Sequence, residues 1–218
     1  MTSPLRGVRR VGSTAVLAEV KDLPDVLALH AALERDRPHG VLELVPAART
    51  LMVTYDPRAV GHDAMAQAVT HCAASLGQGT EAADDGGRSD DVLVIPVRYN
   101  GPDLDHAAEL TGLSVTEVIR RHITAHYTVA FTGFAPGFGY LAGTDPALAL
   151  PRRAEPRTAV PSGAVAVAGG FTGVYPRSSP GGWQLLGTTA LKLWDPDRDR
   201  PALLTPGRQV RFVAEEPR

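Results

Sequence analysis

Glycines and aromatic residues alternate in one short stretch of the chain, FTGFAPGFGYL, which runs from Phe131 to Leu141. The stretch is too irregular for a helix and too rich in glycine for an ordinary strand. Gly133, Gly137 and Gly139 permit positive φ and a close approach of the backbone to a ligand, and exposed amides at these positions would bind an anion or an oxyanion. The competing interpretation is a glycine-rich barrel turn whose aromatic side chains belong to the core, and the spacing alone leaves both open.

Arginines held between prolines follow in PRRAEPRTAVPSGAV, residues 151–165. The prolines restrict the backbone around Arg152, Arg153 and Arg157, and guanidinium groups held in this way suit bidentate recognition of a carboxylate. The alternative is a solvated basic loop that is partly paired with Glu155. We expect that alternative to hold for at least one of the three arginines.

A third segment, GGFTGVYPRSSPGGWQLLG, covers residues 169–187. Tyr175, Ser178, Ser179 and Trp183 surround its Pro-Gly-Gly turn, and hydroxyl groups with an indole on a shaped loop suit a small polar ligand. For Trp183 the favoured interpretation is packing that closes a barrel. The two serines stay open between a structural and a ligand-binding role.

Two histidines, His122 and His126, stand four residues apart on a predicted helix, which is a spacing that can bind a metal. No glutamate occupies the position of an HExxH motif and no third ligand is evident, so a metal site is disfavoured. His122 precedes an aromatic strand, and a buried polar role in a site is the other interpretation.

Several kinds of chemistry are disfavoured by composition. The chain has 218 residues, one cysteine (Cys72) and a formal net charge of -2. It therefore cannot form an internal disulfide or a cysteine-based zinc site, and its charge predicts binding to neither nucleic acid nor a membrane. It has no P-loop and no G-x-S-x-G elbow. Lys192, between Leu191 and Leu193 on a predicted strand, is the one candidate for an amidase lysine. The N-terminus lacks an apolar run of signal-peptide length, so a cytoplasmic location is expected.

The elements that must position these residues differ between the two parts of the chain. Residues 1–76 are predicted to form a small α+β domain of order β-β-α-β-β-α, with Asp22 capping the first helix. Residues 77–90, GQGTEAADDGGRSD, have no apolar anchor and are predicted to be a linker. Residues 91–218 are predicted to be a mainly-β barrel domain. Its one predicted helix begins at a capping box formed by Ser114 and Glu117.

These segments resemble a known family. The motifs GLSVTEVIRRH, GFAPGFGYL, PRRAEPRTAVP, VYPRSSPGGW and LTPGRQVRF occur in this order and resemble the B subunit of 5-oxoprolinase, whose relatives are called allophanate hydrolase subunit 1 and the sporulation kinase inhibitor Kip. The resemblance is strong over about residues 91–213, and VPAARTLMVTYDP extends it into the first domain. It implies an α+β N-terminal domain followed by a mainly-β cyclophilin-like barrel domain.

The resemblance also implies partners and a reaction. A C subunit of related barrel fold would complete the site, and together with an A subunit the complex would open 5-oxoproline to glutamate at the expense of ATP. No cofactor is expected on this chain alone, no nucleophile can be named in it, and the substrate would be a small cyclic amide. The candidate substrate-binding residues are His122, Tyr140, Arg152, Arg157, Tyr175, Ser178 and Ser179, with the amides of Gly133, Gly137 and Gly139.

Departures from the family pattern affect the expected substrate more than the fold. His126 stands where an acidic residue is common, Ala164 follows Ser162-Gly163 where the family commonly reads PAGS, and Thr188 begins a stretch where Arg-Thr-Pro is common. The named relatives of the family leave two other functions open. One is a urea carboxylase-like or allophanate hydrolase-like subunit that acts on urea-type amides. The other is a non-catalytic inhibitor of a histidine kinase.

Overall fold

The structure, a computed structural model, describes residues 5–76 and 92–215 of the chain. Contacts divide the chain into two compact units, Met1–Asp85 and Gly86–Arg218. The predicted linker, residues 77–90, lies outside the described residues. In the two described ranges, no helix is long and apolar enough to cross a membrane.

The first unit packs two helices on a four-stranded antiparallel sheet of order β1-β2-β4-β3. Its elements are β1 (Leu5–Val11), β2 (Ala15–Val20), α1 (Leu23–Arg35), β3 (Val41–Pro46), β4 (Thr50–Tyr55) and α2 (His62–Leu76). The Asp22 side chain accepts a hydrogen bond from the backbone N–H of Asp25, which caps α1 as predicted. Val26, Leu29 and Leu33 of α1 are fully buried, at the spacing that places them on one face of the helix.

The second unit contains nine strands, two α-helices and a short 3₁₀ helix within residues 92–215. Its elements are β5 (Leu93–Val97), α3 (Leu104–Thr111), α4 (Val115–Thr124), β6 (Tyr127–Thr132), β7 (Gly139–Ala142), the 3₁₀ helix (Pro146–Leu148), β8 (Arg157–Val160), β9 (Ala164–Ala168), β10 (Phe171–Val174), β11 (Ser179–Gly181), β12 (Gln184–Thr188) and β13 (Gln209–Ala214).

Seven of these strands form a barrel-like sheet of order β12-β9-β10-β7-β6-β13-β5. The two outermost strands meet where Arg98 and Thr188 exchange backbone hydrogen bonds, each with an N···O distance of 2.8 Å. This bridge nearly closes the sheet, so few of its edge groups lack a partner. Apolar side chains from β5, β6, β7, β9, β10 and β13 fill the interior. The barrel expected from the sequence is therefore present. The remaining strands, β8 and β11, form a separate two-stranded ribbon.

The helices of this unit differ in part from the prediction. The Ser114 hydroxyl accepts a hydrogen bond from the Glu117 N–H at the start of α4, as a capping box requires. The Glu117 carboxylate binds Arg120 and Arg121 instead of returning to the Ser114 backbone, so the box is half formed. The hydrogen bond from Arg120, together with Arg121, lowers the pKa of Glu117 to about 2. Helix α3 was not predicted.

Two predictions about local structure are wrong. Helix α4 ends at Thr124, so His126 is not on the helix and does not share a helical face with His122. Residues 191–193 are not a strand, so Lys192 is not on one. Lys192 is exposed and pairs with Asp195 at 3.1 Å, which is the arrangement of a solvated turn.

Candidate functional site

The glycine-rich segment between β6 and β7 folds into a tight loop that is closed by its own backbone. The Gly133 N–H donates to the Phe138 carbonyl at 3.3 Å, and the Phe138 N–H donates to the Ala135 carbonyl at 2.9 Å. The amide of Gly133 is therefore used inside the loop, and the expectation that it serves a ligand is wrong. Gly139 lies in the β6–β7 ladder opposite Thr132.

The other reason for glycine in this loop is space. A Cβ at Gly137, whose φ is +82°, would lie 2.6 Å from the Cβ of Trp194. A Cβ at Gly139 would lie 3.0 Å from the Cβ of Leu204. The amide of Gly137 has no hydrogen-bond partner within the described part of the chain, but the residue itself is buried. Gly137 and Gly139 therefore allow the turn to pack closely. This favours the interpretation of a packed barrel turn over that of a ligand-binding loop.

The aromatic residues of this loop form a cleft with the two other segments singled out above. We call it the aromatic cleft. It has a volume of about 80 Å³ and is lined by Phe134, Phe138, Tyr140, Arg152, Tyr175, Gly181, Gly182 and Trp183. Phe138 lies at its centre, with its ring centroid 5.1–5.6 Å from the rings of Phe134, Tyr140, Tyr175 and Trp183 in edge-to-face geometry. Such pairs stabilise by about 0.5–1.5 kcal/mol each beyond their burial. The walls of the cleft are therefore held in place by one another.

Phe134 differs from the other residues of the cleft in its backbone and its exposure. Its φ is +65°, a left-handed conformation that costs a residue other than glycine about 1–2 kcal/mol. The residue is 58% exposed, so burial offsets only part of this cost. Strained backbone held in place by its surroundings is most common at functional sites.

The three arginines have different environments. Arg152 lines the aromatic cleft, is exposed, and makes no hydrogen bond or ion pair with any described residue. Arg153 and Arg157 both bind the carboxylate of Asp103, which is 2% exposed. Arg157 is thus already engaged as a bidentate partner, and its prediction as a ligand-binding residue is not supported by this geometry.

Asp103 accepts four hydrogen bonds from protein groups, which replace water around its buried carboxylate. Arg153 Nη1 donates at 2.7 Å, Arg157 Nη1 and Nη2 donate at 2.9 and 2.7 Å, and the Leu185 N–H donates at 2.8 Å. Burial by itself would raise the pKa of Asp103, but the hydrogen bonds from Arg157 and Leu185 and the charges of both arginines outweigh it, so the pKa is lowered. We call this group the Asp103 clamp.

Tyr175 contributes a hydroxyl to the cleft in its protonated form. Burial raises the pKa of Tyr175, against smaller opposing effects of the Trp183 backbone amide and the Arg152 charge. At neutral pH the hydroxyl is a hydrogen-bond donor and acceptor and not a base. The exposed Arg152 and the buried wall residue Tyr175 therefore offer donors to an acceptor group, such as a carboxylate, in the aromatic cleft.

The two predicted serines do not line the cleft. Ser178 is exposed, whereas Ser179 is 8% exposed in β11, and its hydroxyl has no partner among the described residues. Trp183 is 5% exposed and packs in the core below the cleft, in line with its favoured interpretation as a packing residue, and it also lines the cleft wall.

His122 is a core residue and not a part of the cleft, which corrects its prediction as a substrate-binding residue. It has no exposed surface, and Nδ1 lies 2.7 Å from the Tyr99 hydroxyl. Its ring packs on Phe212 with a centroid distance of 4.6 Å. Burial lowers the pKa of His122 to about 3, so the ring is neutral at physiological pH. Within residues 5–76 and 92–215, no three His, Cys, Asp or Glu side chains are grouped as a metal site would require.

Sequence patterns did not indicate Asp103, the left-handed backbone of Phe134 or the anchoring role of Arg153. One signal for Asp103 was available. The residue follows Gly101-Pro102 and precedes a helical pattern that ends at Gly112, so an N-terminal helix residue with a free carboxylate could have been expected there.

Comparison with known proteins places these features in a family. The family model of the carboxyltransferase domain, subdomain C and D, matches residues 6–204. A protein named as the B subunit of 5-oxoprolinase from Escherichia coli O157:H7 is 39% identical over 213 residues, which cover 94% of each chain. Its namesake from Bacillus subtilis (strain 168) is 39% identical over 196 residues, which cover 86% of this chain and 81% of the relative.

Solved structures agree in fold. A crystal structure of TTHA0988 has a TM-score of 0.72 and 40% identity over 94% of this chain, which spans only 40% of that longer protein. The Kluyveromyces lactis urea carboxylase has a TM-score of 0.75 at 19% identity over 99% of this chain and 23% of its own length, and so shows the fold alone. From the family match over residues 6–204 and the full-length relatives, the chain belongs to the family of carboxyltransferase domains, subdomains C and D, that contains the proteins named as the B subunit of 5-oxoprolinase.

Proposed function

We propose that this chain is the B subunit of an ATP-dependent 5-oxoprolinase and that its aromatic cleft binds the substrate, 5-oxo-L-proline. The reaction adds one water across the lactam C–N bond to give L-glutamate, and ATP hydrolysis in the assembled complex drives it. A C subunit of related barrel fold and an A subunit would be the partners. The names of the relatives support the role as one subunit of a larger enzyme.

The observation that carries the substrate proposal is the guanidinium of Arg152, which lies beside aromatic walls and has no partner among the described residues. 5-Oxoproline has one carboxylate and a flat five-membered lactam. Arg152 would bind the carboxylate by charge-assisted hydrogen bonds, and the rings of Phe138, Tyr175 and Trp183 would contact the lactam. The Tyr175 hydroxyl, protonated at neutral pH, would donate to an oxygen of the substrate.

The size of the cleft supports a site that is completed by a partner. Pockets that enclose a small-molecule ligand usually have about 300–1,000 Å³, whereas the aromatic cleft has about 80 Å³. It would cover only part of a substrate. Among its lining residues there is also no cysteine, serine, lysine or carboxylate to act as nucleophile. We therefore assign to this chain the binding and orientation of the substrate, and to the partners the attacking group and the ATP site.

The test is a reconstitution in which glutamate formation from 5-oxoproline and ATP is measured for the chain alone, for the chain with the C subunit, and for all three subunits. Turnover only in the mixture of all three is expected. Turnover by the chain alone at the rate of the full mixture would disprove the shared site, and turnover of urea instead of 5-oxoproline would favour the urea-type alternative.

Arg152→Gln in the complex of all three subunits tests the cleft itself. We expect the KM for 5-oxoproline to rise by about 10- to 150-fold, the equivalent of the roughly 1.5–3 kcal/mol of a charge-assisted hydrogen bond. The thermal stability of the chain should change little, because Arg152 has no protein partner among the described residues. Arg211→Gln, at an exposed arginine of β13, is the matched control. An unchanged KM in Arg152→Gln would remove this residue from the site.

A further inference from the structure

Three arginines lie within six residues of the chain, yet only one of them is available to a ligand. Arg153 and Arg157 are both bound to Asp103, with N···O distances of 2.7–2.9 Å. Arg152 lies between Pro151 and Arg153 and has no such partner among the residues that the structure describes. The same buried carboxylate thus engages two of the arginines and leaves the third free.

The backbone on both sides of Arg152 is tied to the segment that runs from the end of β11 into the start of β12 and carries part of the cleft wall. The Gln184 side-chain amide donates to the Pro151 carbonyl at 3.0 Å. The Arg153 N–H donates to the carbonyl of Gly182, a lining residue of the cleft, at 2.8 Å. Arg152 therefore projects from a segment that is held at its preceding and its following residue.

Asp103 connects this segment to the barrel. Besides the two arginines it accepts the backbone N–H of Leu185 in β12, two residues beyond Trp183 of the cleft. A single carboxylate with 2% exposure therefore joins the arginine segment, β12 and the start of α3. Its four hydrogen bonds come from groups with fixed geometry, three from the planar forks of the arginines and one from a strand amide.

We propose that Asp103 is a positioning residue for the aromatic cleft: it holds Arg153 and Arg157 so that Arg152 alone meets the carboxylate of the ligand, at a fixed place beside Tyr175 and Trp183. This inference rests on the function proposed above. It assigns to Asp103 no contact with the substrate. It predicts that the geometry of Arg152, and not the total positive charge near the cleft, determines affinity.

The two explanations predict opposite effects of Asp103→Asn on substrate binding. Asp103→Asn removes a negative charge beside two arginines and releases both from their ion pairs. If charge alone governed binding, the extra positive charge would strengthen binding of an anionic substrate. If Asp103 fixes Arg152, the substitution loosens the segment and weakens binding.

The experiment uses the assembled complex of all three subunits with 5-oxoproline as the probe and compares wild type, Arg152→Gln, Asp103→Asn and the double variant. We expect Asp103→Asn to raise KM by about tenfold, as when one charged hydrogen bond is lost, with kcat within about twofold. In the Arg152→Gln background the same change should have almost no further effect on KM, because coupled residues are not additive.

Two more variants guard against a general loss of structure. Arg157→Lys keeps the charge but loses the bidentate geometry, and a KM increase of about threefold is expected with the protein folded. Asp145→Asn is the matched control, since it breaks the ion pair of Asp145 with Arg121 of α4, 3.2 Å long, without touching the clamp. KM should not change in Asp145→Asn.

The outcomes separate the inference from the function on which it rests. If Arg152→Gln leaves KM unchanged, the substrate site proposed above is wrong. If Arg152→Gln raises KM but Asp103→Asn and Arg157→Lys leave it unchanged or lower it, the positioning role alone is overturned. The positioning role would also be overturned if Asp103→Asn raised KM equally in the Arg152→Gln background. The same holds if Asp145→Asn raised KM as much as Asp103→Asn does.

Discussion

Neighbouring residues of one type have different roles here because their partners differ. Arg152, Arg153 and Arg157 have the same chemistry, but a buried carboxylate far earlier in the chain, Asp103, binds two of them. Releasing these two arginines would leave the buried carboxylate uncompensated, and an uncompensated buried charge costs several kcal/mol. The residue type therefore indicated that this segment can recognise a carboxylate. The position of Asp103 decides which of the three arginines is left to do so.

His122 leads to a prediction at the same scale. Its pKa is about 3 in the folded chain and about 6.5 in the unfolded chain. Above pH 6.5 both states are neutral, and His122 adds no pH dependence. Below pH 6.5 the unfolded state takes up a proton that the folded state does not, so the free energy of unfolding should fall as the pH is lowered from about 6.5 towards 3, by up to about 1.4 kcal/mol per pH unit.

His122→Gln should make this slope shallower between about pH 5 and 6.5, above the range in which the unfolded chain begins to protonate carboxylates such as Asp103 and Glu117, whose pKa values are lowered in the folded chain. Urea denaturation followed at several pH values measures it. His106→Gln, at a half-exposed histidine of α3, is the control and should retain the full slope. A slope that persists in His122→Gln would assign the proton uptake to another group.

At the scale of elements, the loop between β6 and β7 combines a buried and an exposed phenylalanine. Phe138 is 2% exposed and contacts four aromatic rings, whereas Phe134 is 58% exposed with left-handed backbone. The loop closes on its own hydrogen bonds, and the barrel strands on both sides fix its ends. The element thus presents one aromatic side chain outwards at the edge of the cleft.

The two phenylalanines should respond differently to truncation. Phe138→Ala should lower the free energy of unfolding by about 3–5 kcal/mol, as is usual for a buried phenylalanine. Phe134→Gly should change it by less than about 1 kcal/mol, because relief of about 1–2 kcal/mol of left-handed strain offsets the lost ring contacts and the flexibility of glycine. Denaturation curves of both variants measure this. Equal destabilisation would mean that Phe134 contributes to the core.

At the scale of the whole molecule, the chain is built from two units with separate cores. The first core lies between helices and sheet in residues 5–76, and the others lie in and around the barrel in residues 92–215. All residues of the aromatic cleft and of the Asp103 clamp come from the second unit. The contacts that this chain is proposed to make with the substrate therefore all come from the second unit.

Limited proteolysis tests the division predicted from composition. Residues 77–90 contain one basic residue, Arg88, so trypsin should first cut after Arg88 and release fragments 1–88 and 89–218. Arg88→Gln removes that site and should delay the first cleavage, because the arginines and lysines of the described residues lie in or near folded elements. First cleavage within residues 5–76 or 92–215 of the wild-type chain would contradict the predicted boundary.

Much of the fold could be predicted from local patterns. The strands of the first unit, Asp22 as a cap, the start of α4 and most barrel strands follow from alternation, β-branched residues and capping side chains, which act over a few neighbouring residues. Helix α3 was missed although Asp103 and Gly112 are ordinary start and end signals; in the structure the Asp103 carboxylate does not cap the helix and is used by distant arginines. The helix expected to include His126 ends two residues before it, since helix ends depend on tertiary packing.

Sequence patterns alone were enough to indicate which segments form the aromatic cleft. Tyr140, Arg152 and Tyr175 were expected to bind a ligand, and the fold brings all three to one cleft. The roles within that cleft depended on tertiary contacts. His122 is buried in the core, and Arg157 is paired with Asp103. The walls of the cleft are formed by aromatic rings that pack around Phe138. These roles could not be predicted because residue types and their order record local preferences, whereas burial, ion pairing and ring contacts depend on residues that only folding brings together.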